Sequence, residues 1–115
     1  MKKIYKYELG VDGEARIIND NIEKFLHVES QYGIPMVWAE VNLDKASETS
    51  WKIFSIGTGW DLPDEVFDGE YLGTALDKYG YVWHYYARRV APSYVTVKTE
   101  YEYNPYDYQC THKNI

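Results

Sequence analysis

Two short motifs hold residue types that can bind or react. The first is Gly57-Thr58-Gly59-Trp60, whose backbone N–H groups could face an anion, and the second is Trp83-His84. A phosphate-binding loop normally leads into a helix N-terminus. Here Asp61-Leu62-Pro63 follows, which does not begin a helix, so the glycines are expected to form a sharp corner or bulge instead.

His84 is the residue with the most catalytic potential. Strand alternation places it on the same face as Val82 and Tyr86, and it could act as a general base if a carboxylate oriented it. No nucleophile accompanies it, and the spacing of the histidines and of the single cysteine, Cys110, matches no metal site. We expect a packed, hydrogen-bonded histidine, no metal and no cofactor. A small hydrolase using His84 and a carboxylate of the 61–70 loop is the enzymatic alternative.

Arg88 and Arg89 are two of only three arginines in the chain. Neighbouring strand residues point to opposite faces, so one of them could meet an anionic ligand. A nucleotide site needs such a cation together with a ring that stacks on the base. Alternatively, the arginines pair with carboxylates or lie over aromatic rings. The candidate ligand-binding residues are Gly57, Thr58, Gly59, Trp60, Trp83, His84, Arg88 and Arg89.

Bulk properties limit the class of protein. The 115 residues suffice for one domain, and 13 Tyr and 4 Trp make disorder over most of the chain unexpected. The net charge of −6 argues against long nucleic acid as a partner. A single cysteine fits a reducing compartment, and no apolar run predicts a signal peptide or a membrane span. A cytoplasmic location is therefore expected.

Period-two alternation predicts six to eight short strands, hence an all-β, single-domain antiparallel meander, sandwich or small open barrel. Residues 24–32 fit helical and strand spacing, and we favour the strand. Tyr32 to Pro35 is predicted to be a turn, 60–69 a loop, and 77–80 a hairpin connection. Gly73 should mark a bulge, or close packing under a ring such as Trp83.

The C-terminal part is predicted to be distinct. We divide the chain into a β-sheet core domain, 1–90, and a Tyr-rich extension, 91–115, with an added strand over 94–103 and a frayed end. An alternating strand with a free edge can pair with a second copy of the chain. Tyr94, Tyr101 and Tyr103 are therefore the expected interface of a homo-oligomer.

The order and spacing of the motifs carry a resemblance to a known family. The motifs are GIPMVWAEV (33–41), IGTGWDLP (56–63), YLGT (71–74) and YVWHYY (81–86). Over about residues 4 to 87 the chain resembles a widespread family of small bacteriophage and prophage proteins of unknown function. The resemblance implies a phage product acting in the host bacterial cytoplasm, and it implies no catalytic residues.

Together these features favour a phage accessory protein that acts as a non-catalytic binding module. Its partner would be a host protein or a small nucleotide signal, the latter in a counter-defence role. The alternatives are a virion-associated structural β-module and the hydrolase described above.

Overall fold

Two antiparallel β-sheets make up the fold. The structure is a computed structural model that describes residues 1–46 and 48–91. The strands are β1 (Lys2–Glu8), β2 (Arg16–Ile18), β3 (Ile22–Gln31), β4 (Ile34–Asn42), β5 (Ser50–Gly57), β6 (Glu70–Leu76) and β7 (Val82–Val90). The first sheet has the order β1-β4-β3 and the second β2-β5-β7-β6. The all-β prediction is confirmed, and within the described residues the sheets form an open sandwich rather than a closed barrel.

The core lies between the two sheets, because strands such as β4, β5 and β7 turn alternate residues inward. On the central strand β4, Val37, Ala39 and Val41 are almost completely buried. Across from them, β5 and β7 contribute Ile53, Tyr85 and Ala87. Small alanines beside large aromatic rings let the layers interdigitate, which is how close-packed sandwich cores are filled.

The β3–β4 hairpin is tighter than the sequence predicted. Tyr32 and Gly33 alone form the turn, with φ of +56° and +79°, as a type I′ turn requires. The predicted turn from Tyr32 to Pro35 is therefore wrong at its end, since β4 already begins at Ile34. Pro35, which has no N–H to donate, is tolerated there because β1 has already ended beside it. The Pro35 carbonyl still accepts a hydrogen bond from the Leu9 N–H at 2.9 Å.

The β6–β7 hairpin has the predicted connection, and Asp77 organises it. One Asp77 carboxylate oxygen accepts the backbone N–H groups of Tyr79 and Tyr81, at 2.9 and 3.0 Å. The other accepts the indole N–H of Trp83 at 3.0 Å. One aspartate thus ties the turn to the first buried ring of β7.

Gly73 does mark a bulge, since the β6–β7 register shifts between Tyr71 and Gly73. Its close neighbour, however, is Val28 of the opposite sheet rather than Trp83. A Cβ on Gly73 would lie 2.8 Å from the Val28 Cβ. The glycine therefore serves both the bulge and the close approach of the two sheets.

The predicted 60–69 loop contains a short 3₁₀ helix, Asp64–Asp68. Its Val66 packs on Phe54, Ile56 and Tyr86, which covers part of the outer face of the second sheet. The predicted strand over 94–103 lies outside the described residues. The division into residues 1–90 and 91–115 remains a prediction.

A candidate binding surface at one end of the sandwich

Four connections meet at one end of the sandwich, which we call the loop end. They are residues 9–15, 32–33, 58–63 and 77–81. One cavity joins the first, second and fourth of these connections, and another joins the third and fourth. Binding residues commonly lie on loops carried by a rigid sheet, because the sheet fixes the loop backbone and leaves the loop side chains available for contacts.

The loop end exposes large aromatic side chains. The exposed fractions are 87% for Tyr32, 50% for Trp60, 74% for Tyr79 and 67% for Tyr81. Single exposed apolar residues are ordinary, whereas a group of them at one site indicates contact with another molecule. Tyrosine and glycine, with tryptophan at the strongest contacts, are also enriched in antibody binding loops.

An open depression of about 410 Å³ separates the third and fourth connections. We call it the aromatic cleft; it is lined by Gly57, Thr58, Trp60, Gly80, Tyr81, Val82 and Trp83. The rings of Trp60 and Trp83 meet edge to face, with centroids 5.4 Å apart and planes at 85°. Its volume is within the range of small-ligand pockets.

Two glycines, Gly57 and Gly13, lie against the Trp60 ring. A Cβ on Gly57 would lie 2.7 Å from Cε2 of that ring, and a Cβ on Gly13 would lie 2.9 Å from its Cζ3. Trp60 also closes the turn after β5, because its N–H donates to the Gly57 carbonyl at 3.1 Å. The predicted corner at Gly57-Thr58-Gly59 is thus present, and its glycines make room for an aromatic ring.

A second cavity, of about 400 Å³, lies between the β3–β4 and β6–β7 turns. Glu8 and Arg16 line it together with Tyr32 and Tyr79. Partial burial raises the pKa of the Glu8 carboxyl, and the positive charge of Arg16 opposes that shift. Asp77 and Lys78 also line this cavity, which therefore combines aromatic rings with charged groups of both signs.

Below this cavity, Tyr85 anchors the first connection to the core. Its hydroxyl donates to the Gly10 carbonyl at 2.7 Å, and the side chain is fully buried. Burial, with a further contribution from the charge of Asp77, raises the pKa of Tyr85 above its usual range. The phenol therefore stays protonated and holds the loop.

His84 lies on the outer face of the second sheet. Its Nε2 is 2.7 Å from the Thr58 hydroxyl, and its Nδ1 is 2.9 Å from that of Thr74. The Thr74 hydroxyl is in turn hydrogen-bonded to Tyr71. Both ring nitrogens thus meet hydroxyl groups, as expected of a hydrogen-bonded sheet histidine. Among the described hydrogen bonds of His84 none reaches a carboxylate, so the hydrolase alternative gains no support.

Arg88 and Arg89 lie toward the other end of β7. Arg88 is five residues from Trp83 on an extended strand, a separation of about 16 Å. Both arginines line a different depression, of about 370 Å³, that also contains Asp68 and Glu70. The Arg89 guanidinium lies 4.8 Å from the centre of the Trp51 ring. The structure thus divides the candidate residues into two separate groups.

Three further expectations from the sequence concern a homo-oligomer, metal binding and a membrane span. Tyr94, Tyr101 and Tyr103 lie outside the described residues, so the homo-oligomer stays a prediction. In the described part of the chain, no three His, Cys, Asp or Glu side chains are placed to hold a metal ion. No helix in that part is long and apolar enough to cross a membrane.

Tyr32, Tyr79 and Tyr81 were missed as site residues by the sequence reasoning. A signal was present, because Tyr32 and Tyr79 each stand directly before a glycine in a hairpin turn. A residue at the tip of a short hairpin is solvated, and an aromatic side chain there is unusual enough to indicate a binding role.

These features define a small antiparallel β-sandwich with an aromatic loop end. The chain belongs to the family described as Domain of unknown function (DUF7352), whose model matches residues 1–94. The match includes the seven strands of the described residues and the four connections of the loop end. No curated protein and no solved structure matches the chain. The sequence-based expectation of an uncharacterised family is confirmed.

Proposed function

We propose that this protein is a non-catalytic binding module whose loop end contacts another protein. One observation carries the proposal: four connections meet at one end of a rigid sandwich and expose Tyr32, Trp60, Tyr79 and Tyr81. In water, such rings are an unfavourable surface to leave uncovered. Covering them with a partner supplies binding energy at low entropic cost, because Tyr and Trp have only two χ angles to fix.

A protein partner fits the geometry better than the small nucleotide that the sequence also allowed. A nucleotide site needs a cation beside its stacking ring. The two arginines of β7 line a depression with Asp68 and Glu70, and the aromatic cleft has no lysine or arginine in its lining. Tyrosine and tryptophan, by contrast, are typical of the residues that dominate protein–protein affinity.

The biological setting of the proposal rests on the sequence resemblance. A bacteriophage accessory protein that binds a host protein in the bacterial cytoplasm, in a counter-defence role, accounts for a binding surface of exposed aromatic rings. The acidic net charge of −6 supports a partner with a neutral or basic surface.

Affinity capture with matched variants tests the function. The full-length chain, tagged, is expressed in bacteria, and the captured proteins are identified and then purified for a binary binding assay. The double variant Tyr79→Ser/Tyr81→Ser removes two exposed rings of the loop end. The control, Ile4→Ser, removes an apolar side chain that is 53% exposed on β1, outside the loop end.

The proposal predicts one partner that binds the wild type and the Ile4→Ser control alike. Because each interface aromatic contributes about 1–2 kcal/mol or more, the double variant should bind at least about thirtyfold more weakly. Equal binding of the wild type and the double variant would show that the loop end is not the contact surface.

A further inference from the structure

We propose that the aromatic cleft binds an arginine side chain of the partner protein. This inference rests on the proposed binding function and specifies its chemistry. Three rings, Trp60, Tyr81 and Trp83, line one open depression. A cation over the face of such a ring is attracted by its quadrupole, and tryptophan is the strongest of the aromatic residues in this role.

The arrangement of the two tryptophans suits a planar cation. Because the Trp60 and Trp83 planes stand at 85° to each other, they form a corner rather than a flat stack. Trp83 is 7% exposed and Trp60 is 50% exposed, so the first acts as the floor and the second as a wall. A guanidinium can stack on one ring while its stem contacts the other.

The charge around the cleft also favours a cation. Every side chain in its lining is uncharged. Asp77 lies next to it and accepts the Trp83 indole N–H at 3.0 Å. A carboxylate that accepts a hydrogen bond from this N–H polarises the indole and makes the ring face more negative.

Asp77 keeps its negative charge in this position. Partial desolvation raises its pKa, but the hydrogen bonds from the Trp83 indole and from the N–H groups of Tyr79, Tyr81 and Gly80 outweigh that effect and lower it overall. The nearest lysine in the turn, Lys78, lies over the Tyr79 ring and lines the other cavity. Asp77 itself lines the neighbouring cavity, so an arginine entering the cleft meets a ring floor whose indole N–H is bonded to a charged carboxylate.

The cleft is held open before any ligand arrives. Trp60 has Gly57 and Gly13 against its ring atoms, and its N–H is bonded to the Gly57 carbonyl. A ring already in position loses little freedom on binding. Arginine is favoured over lysine because its guanidinium is planar and more weakly hydrated.

Capped amino acids provide a direct test of this inference. The probes are Nα-acetyl-arginine amide, the citrulline equivalent, the lysine equivalent and AMP. Citrulline has nearly the same shape as arginine but no charge. Each probe is titrated into the isotopically labelled full-length chain, and the indole N–H signals of Trp60 and Trp83 are followed by NMR, with Trp38 and Trp51 as internal references.

We expect saturable shifts of the Trp60 and Trp83 signals with the arginine probe. The citrulline probe should bind at least about fivefold more weakly, because it lacks the cation–π contact. The lysine probe should also bind more weakly than arginine, because its ammonium is compact and strongly hydrated. Tyr81→Leu should weaken arginine binding about fivefold and leave citrulline binding unchanged, because leucine keeps apolar area but has no quadrupole. Tyr32→Leu, in the other cavity, is the matched control and should bind arginine like the wild type.

The inference is overturned if citrulline or lysine binds as tightly as arginine, if AMP binds more tightly, or if no probe shifts Trp60 and Trp83. Its failure is distinguishable from failure of the proposed function. The partner could be lost in the Tyr79→Ser/Tyr81→Ser variant while the wild-type chain binds arginine and citrulline equally. That result would support the binding module and reject only arginine as the side chain bound in the cleft.

Discussion

Replacing Gly57 with alanine should displace the Trp60 ring from the loop end. The added Cβ would lie 2.7 Å from Cε2, 2.8 Å from Nε1 and 3.1 Å from Cζ2 of that ring. The ring has little room to move aside within its site, because Gly13 also lies against it and the Trp83 ring contacts it in an edge-to-face arrangement. Trp60 must therefore swing into solvent.

The cost follows from the area that Trp60 buries. The side chain is 50% exposed, so it buries about half of a tryptophan's ~250 Å². At about 25 cal/mol per Å², exposing this area costs about 3 kcal/mol. Alanine regains about 0.5–1 kcal/mol by restricting the unfolded chain, and the φ of Gly57 is not left-handed. The net destabilisation is about 2 kcal/mol.

A double-mutant cycle isolates this cause. In a Trp60→Ala background the ring is gone, so Gly57→Ala should stabilise the fold by about 0.5 kcal/mol instead of destabilising it. Urea unfolding followed by circular dichroism gives the four free energies. If Gly57→Ala costs the same in both backgrounds, within about 0.5 kcal/mol, the clash with Trp60 is not the reason for this glycine.

Three further predictions concern the core and its charges. Gly73→Ala combines a φ of +154° with a Cβ 2.8 Å from that of Val28, so it should lower the unfolding free energy by about 2–4 kcal/mol in urea. Tyr85→Phe removes the hydrogen bond to Gly10 and should cost about 1–2 kcal/mol. Because burial raises the pKa of Tyr85, wild-type stability should fall as pH rises above about 10, and the Phe variant should lose less between pH 8 and 11. Burial also raises the pKa of Glu8, so its penalty appears only above the unfolded pKa of about 4.3; Glu8→Gln should add a few tenths of a kcal/mol at pH 7 and nothing at pH 3.

Alternation along the chain was enough to predict the sheet fold. The strand favoured for residues 24–32 is present as β3, although register shifts between Ile22 and Lys24 and between Phe25 and His27 interrupt its alternation and leave Leu26 exposed. Proline misled the prediction at Pro35, because its effect depends on whether a neighbouring strand continues beside it. That information lies in the register of β1 on β4 and not in local sequence.

The site was predictable only in part. Gly57, Thr58, Trp60 and Trp83 were singled out from their types, and the structure brings these four residues to one cleft. Arg88 and Arg89 were included in the site because they follow Trp83 closely in sequence. In an extended strand, however, each residue adds about 3.3 Å, so the arginines lie away from the cleft. Tyr32 reaches the same end because the first sheet packs on the second, an arrangement that no local pattern encodes.

A contact footprint of the captured partner tests the central claim most directly. Amide hydrogen exchange of the full-length chain, with and without the purified partner, reports protection along the described residues. The account predicts added protection in residues 9–15, 32–33, 58–63 and 77–81 and unchanged exchange along β1. Protection along β1, or around Arg88 and Arg89, with the four connections unchanged, would contradict it.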